Sequence, residues 1–192
     1  MKEKDSRRII ILLCGVVCCL IMGFAYTYSL IQPYVMKYFN IESSSASLPY
    51  TILLAVFVVG NYVGGVMQKK VKVKIVMFIG YLLMAVGAFT TSLLPQTAPA
   101  GMWLTYGGLL GLGDGMVYNV IIAMMQKWFP DKKGLATGIT LAILGVSATI
   151  LSPLCSKWLI AYGLTGTFKI LTGIFVAIAI FGMLTIKAPP EG

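Results

Sequence analysis

The sequence predicts an all-α membrane protein of six transmembrane helices with both termini in the cytoplasm. Three observations carry that expectation. Hydrophobic residues make up 58% of the 192 positions and charged residues 11%, with a mean hydropathy of +0.90, whereas a water-soluble domain is about a quarter charged. Six apolar segments recur, at about 9–32, 48–68, 75–94, 101–125, 134–159 and 167–186. Each is close to the ~20 residues that cross ~30 Å of hydrocarbon as a helix, and helices are required because lipid offers backbone groups no partners. Finally, the basic residues gather in alternate connections between these segments, the arrangement that fixes orientation in a membrane.

The first segment follows a tail, residues 1–8, that carries Lys2, Lys4, Arg7 and Arg8. The apolar run continues to about Ile31 without an Ala-x-Ala site, too long for a cleaved signal core of ~7–15 residues, so it reads as a retained helix. Cys14 and Cys18 share one face of it. With no histidine and no CxxC pair in the chain, a zinc site lacks ligands, and the four cysteines read as small packing residues. Tyr26, Tyr28, Ser29 and Gln32 form its polar end.

The second segment places Gly60 and Gly64 on one face and holds a polar Asn61. An amide in lipid bonds across helices or touches a ligand. Lys69, Lys70, Lys72 and Lys74 fill the next connection, and the uncharged 95–100 turn suits the outer side. In the fourth segment Gly107, Gly111 and Gly115 line one face, where a backbone can approach closely. Asp114 is the one acidic side chain deep in a span, so it should face protein or water. Tyr118 is one helical turn on and shares its face, with Asn119 beside it. Two roles fit Asp114: a protonatable or cation-pairing group on a transport path, or a structural carboxyl bonded to a neighbouring hydroxyl. Gly134, Gly138 and Ala142 repeat the small-residue spacing in the fifth segment. Pro189 and Pro190 stop the sixth, giving a bundle over 9–187 and the start of a cytoplasmic linker at 188–192.

Termini inside place twelve of the 15 basic residues in the cytoplasm and leave Lys37, Lys157 and Lys169 near the outer side. An echo of Lys37-Tyr38-Phe39 in Lys127-Trp128-Phe129, three spans later, fits a 3+3 inverted repeat; a coincidence of two helix ends fits equally. The net charge of +9 does not indicate nucleic acid, because the lysines sit between apolar runs rather than across a soluble face. No HExxH, GxSxG or Gly-rich Lys-Ser/Thr loop occurs, so neither an enzyme, a cofactor nor an ATP site is expected.

The connection after the fourth segment, Gln126-Lys127-Trp128-Phe129-Pro130-Asp131-Lys132-Lys133-Gly134-Leu135-Ala136-Thr137-Gly138, sets an aromatic pair at the lipid–water boundary and lysines on the cytoplasmic side. It resembles the loop between the fourth and fifth helices of the oxalate/formate antiporter group of the major facilitator superfamily. Tyr26-Thr27-Tyr28-Ser29-Leu30 is similar to that group's Tyr-small-Trp-Ser/Thr-aliphatic pattern. Gly65, Lys70 and Lys74 match the superfamily's basic signature between the second and third helices, while Lys69 stands in place of its Asp and Lys72 in place of its Gly. Asp114 occupies a usually apolar position.

The resemblance implies one six-helix bundle of a twelve-helix transporter. It would carry small organic anions, mono- or dicarboxylates such as oxalate or formate, by alternating access against a second bundle, either a separate C-terminal half or another copy. Tyr26 and Tyr118 would face the cavity and hold a carboxylate, with Tyr28, Gln32, Asp114 and Asn119 as further cavity candidates; Tyr28 also fits an interfacial belt. The substrate-pairing cations would come from the second bundle. The cell membrane, the bacterial cytoplasmic membrane, is the expected location. The Asp-to-Lys change puts the cytoplasmic charge latch in doubt and leaves a non-transporting remnant or interaction module as the alternative.

Overall fold

The computed structural model describes residues 2–186, with side chains from Arg8 onward. The side chains of Lys2, Lys4 and Arg7, together with Lys187, Pro189, Pro190 and the 188–192 linker, lie outside the described residues. Helix α1 (Lys2–Met22) runs through a 3-10 turn (Gly23–Thr27) into α2 (Tyr28–Phe39). Next come α3 (Ser43–Met67), α4 (Val73–Ser92), a π-helical stretch (Trp103–Leu110) leading into α5 (Gly111–Trp128), and α6 (Lys133–Thr185). All of these elements are helical, as an apolar solvent demands.

Five of the helical runs are long and apolar enough to cross a membrane: Arg8–Phe39, Ser43–Met67, Val73–Ser92, Trp103–Trp128 and Lys133–Thr185. The segments expected at 134–159 and 167–186 are not separated by a loop but belong to one run of 53 residues. A straight helix of that length would extend about 80 Å. It is broken at Gly163, whose φ of 66° and ψ of −169° are non-helical, a backbone that glycine adopts readily and other residues do not. The first run also extends past its expected end at 32 to Phe39, where Asn40 in the left-handed conformation (φ 51°) caps it. Pro33 lies inside α2 without ending the helix.

Close helix contacts explain the glycine pattern of the fourth segment. α3 packs most extensively on α5, and α4 on α6. A methyl group built at Gly115 would lie 2.1 Å from the Phe57 carbonyl oxygen, and one at Gly60 would lie 2.2 Å from that of Leu112. On the opposite side of α5, a methyl at Gly113 would lie 2.3 Å from the Gly80 oxygen. Only hydrogen fits at these positions, so α5 sits between α3 and α4 at backbone contact, the packing that replaces the hydrophobic drive in lipid.

The fifth-segment stripe behaves differently. Nothing lies within 4 Å of a methyl built at Gly134, Gly138 or Gly145, and Gly134, Gly138 and Ala142 are exposed. The expected close approach at this stripe is not made within the described residues.

The two ends of the bundle differ in charge. The α3–α4 turn with Lys69, Lys70 and Lys72, the start of α4 with Lys74, the end of α5 with Lys127, and the end of α6 share one groove. Arg8 reaches Asp131 at 3.5 Å and lies over the Phe129 ring, which brings the start of the first run to the connection after α5. At the other end, Tyr38 donates to the Leu94 carbonyl at 3.1 Å, and Lys37 and Gly163 line one hollow.

Candidate functional site

A groove of about 690 Å³ opens on the side of the bundle between the first run, α3, α5 and α6, with Tyr26, Phe57, Asn61, Tyr118 and Gly145 among its walls. α3 contributes Phe57 and Asn61, one turn apart and so on one face. α5 contributes Tyr118, whose ring meets that of Phe57 at 5.3 Å. α6 contributes Leu141, Leu144, Gly145 and Ala148, a helical face of small and aliphatic side chains. Tyr26 closes the groove from the 3-10 turn and is 54% exposed. That turn is held by the Thr27 hydroxyl, which donates to the Phe24 carbonyl at 2.7 Å, and by Gly23, where a methyl would collide with the Ser147 hydroxyl.

Below the groove runs a chain of amides. Asn119 Nδ2 donates to Asn61 Oδ1 at 2.6 Å, and Gln68 Nε2 donates to Asn119 Oδ1 at 2.6 Å. The chain links a groove residue, Asn61, to the basic end of the bundle. Gly65 makes room for it, since a methyl there would already touch Asn119 Oδ1 at 3.4 Å.

The six cavity candidates therefore divide. Tyr26 and Tyr118 line the groove, and Asn119 supports it through Asn61. Gln32 lies elsewhere, donating to the Ser43 carbonyl and hydroxyl at 3.3 and 3.1 Å, where it ties α2 to the start of α3. Tyr28 is not a wall of the groove and does not form an interfacial belt. It is 2% exposed, stacks on Tyr50 at 5.3 Å, meets Tyr106 at 5.1 Å, and its hydroxyl donates to the Ala46 carbonyl. Tyr106 continues the cluster onto Phe168, so Tyr28 anchors α2 against α3 and the bundle interior.

Asp114 is also inside the bundle rather than on the groove wall, at 4% exposure. Its Oδ1 has no hydrogen-bond partner among the described residues, and neither has the buried Tyr106 hydroxyl. A neighbouring hydroxyl, the expected structural partner, does not reach that oxygen. Phe57 and the α6 wall escaped the sequence analysis; the one-turn spacing of Phe57 and Asn61 was the signal available for the first, and the 141, 144, 145, 148 spacing for the second.

Trp128 ends α5 and is turned into the bundle at 8% exposure, not out to the lipid–water boundary. Phe129 carries Arg8 over its ring, Asp131 holds the same Arg8, and Pro130 sits between them. Lys132 supplies the carbonyl that accepts from Ala136 N at the start of α6, and Lys133 is exposed beside it. Lys69 and Lys70 are exposed and Lys74 is half-buried.

The 26% identical MFS-type transporter YhjX of Escherichia coli (strain K12) aligns over 170 residues, 88% of this chain and 42% of that protein. The oxalate:formate antiporter of Oxalobacter formigenes is 28% identical over 162 residues, 84% of this chain and 38% of its own. Monocarboxylate transporter 1 of Bos taurus is 27% identical over 174 residues, 88% and 34% respectively. The chain thus spans about two fifths or less of the length of these relatives. A family profile described as Major Facilitator Superfamily matches residues 12–192. With apolar helices packed through glycine faces and a profile that spans nearly all of it, this multi-pass membrane chain belongs to the Major Facilitator Superfamily of transporters.

Proposed function

We propose that the chain forms a six-span bundle, a 3+3 inverted repeat with α6 folded at Gly163 into its last two spans. It works as the first half of a secondary transporter for small organic carboxylates. In this proposal both termini are cytoplasmic, the membrane is the bacterial cytoplasmic one, and the bundle rocks against a second six-helix bundle, a separate half or another copy of itself. The parallel pairings of α3 on α5 and α1 on α6 support the repeat. The alignments with an oxalate:formate antiporter and a monocarboxylate transporter support carboxylates as the substrate class.

The observation that carries the proposal is the lateral groove and the bare face around it. Tyr26 and Tyr118 stand on its wall, and phenol hydroxyls donate to a carboxylate while their rings cover its apolar part. Around it Leu54, Val58 and Tyr62 are 46, 66 and 73% exposed, and Gly138 and Gly145 meet nothing. A second bundle laid on that face would enclose the groove and bring backbone against the small residues. The cations that pair the substrate would come from that bundle, because Lys37, Lys157 and Lys169 do not line the groove.

The test is counterflow of labelled oxalate and formate in proteoliposomes, prepared with the chain alone and with any bundle that co-purifies with it in mild detergent. Exchange is expected only with the second bundle present. Exchange by the chain alone overturns the need for a partner. Inert vesicles in both preparations overturn carboxylate transport and favour a non-transporting module, the reading to which Lys69 and Lys72 in the α3–α4 turn also point.

A further inference from the structure

The basic end of the bundle holds a second concave site, and no part of the transport proposal uses it. Lys69, Lys70 and Lys72 of the α3–α4 turn, Lys74 at the start of α4 and Lys127 of α5 line a groove of about 510 Å³. Its far wall is apolar and comes from the end of α6, where Met183 and Leu184 line it and Leu184 is 73% exposed. A solvated lysine run would splay along a convex turn. Here the turn, the start of α4 and the end of α5 bring five lysines to the lining of one hollow, and Lys74 is half-buried there. No carboxylate lines it among the described residues. Asp131, at the same end, is engaged by Arg8.

Five like charges so placed repel one another, and a bound anion relieves that repulsion. The apolar wall beside them decides which anion fits best. An exposed leucine on that wall favours a ligand with hydrocarbon attached to its charge. We infer that this groove binds an anionic phospholipid of the adjacent leaflet, with the phosphate among Lys69, Lys70, Lys72, Lys74 and Lys127 and an acyl chain descending along Leu184. The site is independent of the transported substrate, so failure of the carboxylate proposal leaves it standing, and the reverse also holds.

The experiment is native mass spectrometry of the delipidated chain in mild detergent, titrated with phosphatidylglycerol or phosphatidylcholine. Phosphatidylglycerol is expected to be retained at least about tenfold better, and K70Q/K72Q to lose about 25-fold, near fivefold per lysine at ~1 kcal/mol each. These two side chains are exposed, so an unchanged melting temperature is expected to accompany the loss. K169Q, outside the groove, is expected to bind as the parent does. L184S is expected to weaken phosphatidylglycerol but leave competition by inorganic phosphate unchanged. Equal retention of the two lipids, or K70Q/K72Q binding like the parent, overturns the site. Inorganic phosphate displacing phosphatidylglycerol at equal concentration overturns the lipid assignment in favour of a free anion.

Discussion

Asn119 Nδ2 donates to Asn61 Oδ1 at 2.6 Å, which joins α5 to α3 directly beneath the lateral groove. The same Asn119 accepts from Gln68, so one side chain satisfies a partner within α3 and another at its C-cap. Hydrogen bonds between membrane helices average about 0.6 kcal/mol. Asn119→Leu, which loses both, is expected to destabilise the chain by about 1 kcal/mol in detergent unfolding. Combined with Asn61→Leu the loss should be less than additive, because the second substitution removes a partner already gone. Strict additivity would mean the two amides do not interact.

The glycine faces separate internal packing from an interface with a second bundle. At Gly115 a methyl would lie 2.1 Å from the Phe57 oxygen, a backbone atom that cannot swing aside. Gly115→Ala is expected to cost about 1–3 kcal/mol, as overpacking does. At Gly138 nothing lies within 4 Å, so Gly138→Ala should change the stability of the isolated chain by no more than about 0.5 kcal/mol. Gly138→Leu should also spare the isolated chain yet abolish co-purification of a second bundle. Retained co-purification would remove this face from the proposed interface.

This contrast shows how far the sequence could be read. The long apolar runs were legible because bilayer thickness fixes their length, although the last two expected spans form one run of 53 residues, and the lysine-rich connections because charge cannot stay in hydrocarbon. The Gly107, Gly111, Gly115 stripe and the Gly134, Gly138, Ala142 stripe have the same spacing, yet α5 is packed on both sides and α6 is bare there. In water a hydrophobic face announces burial. In lipid both protein-facing and lipid-facing sides are apolar, so composition does not separate them. Tyr28 illustrates the same blindness. A tyrosine near a span end suits a cavity, a boundary or a core, and only its stacking on Tyr50 and Tyr106 decides. The Gly163 break was hidden for a different reason: a single residue with positive φ does the work expected of a loop.

Gly163 makes a local prediction. Its φ of 66° and ψ of −169° fall in a region essentially confined to glycine, where another residue costs about 1–3 kcal/mol. Gly163→Ala gains helix propensity but must either bear that strain or straighten α6. A melting temperature lowered relative to the parent is expected, with Gly173→Ala, a helical glycine with open space around it, expected to melt no lower than the parent. Equal melting of both variants would show that the break does not depend on the glycine.

Tyr118 tests the groove as a carboxylate site. Its ring is already held by Phe57, so Tyr118→Phe removes the hydroxyl while the packing persists. A hydrogen bond to a charged group contributes about 1.5–3 kcal/mol. In a reconstituted two-bundle transporter, oxalate affinity should fall about tenfold or more while melting of the bundle stays put. Tyr28→Phe should show the opposite pattern, because its hydroxyl bonds the Ala46 carbonyl and never reaches the groove. Equal effects on substrate affinity from the two variants would dissolve the distinction between wall and anchor.

Asp114 is placed where stability and function should pull apart. Its Oδ1 lacks a partner among the described residues, and a buried polar atom without one costs about 1–3 kcal/mol. Asp114→Val, which leaves no polar side-chain atom to satisfy, should therefore raise the stability of the isolated chain by an amount in that range. Asp114→Asn keeps a polar group at the same buried position and should not. If the carboxyl takes part in the transport cycle, the stabilised valine variant should lose exchange in proteoliposomes while folding better than the parent. A loss of stability greater than about 1 kcal/mol in Asp114→Val would instead mean that the carboxyl has a partner in the folded bundle, and its place in the interior would then be a structural one.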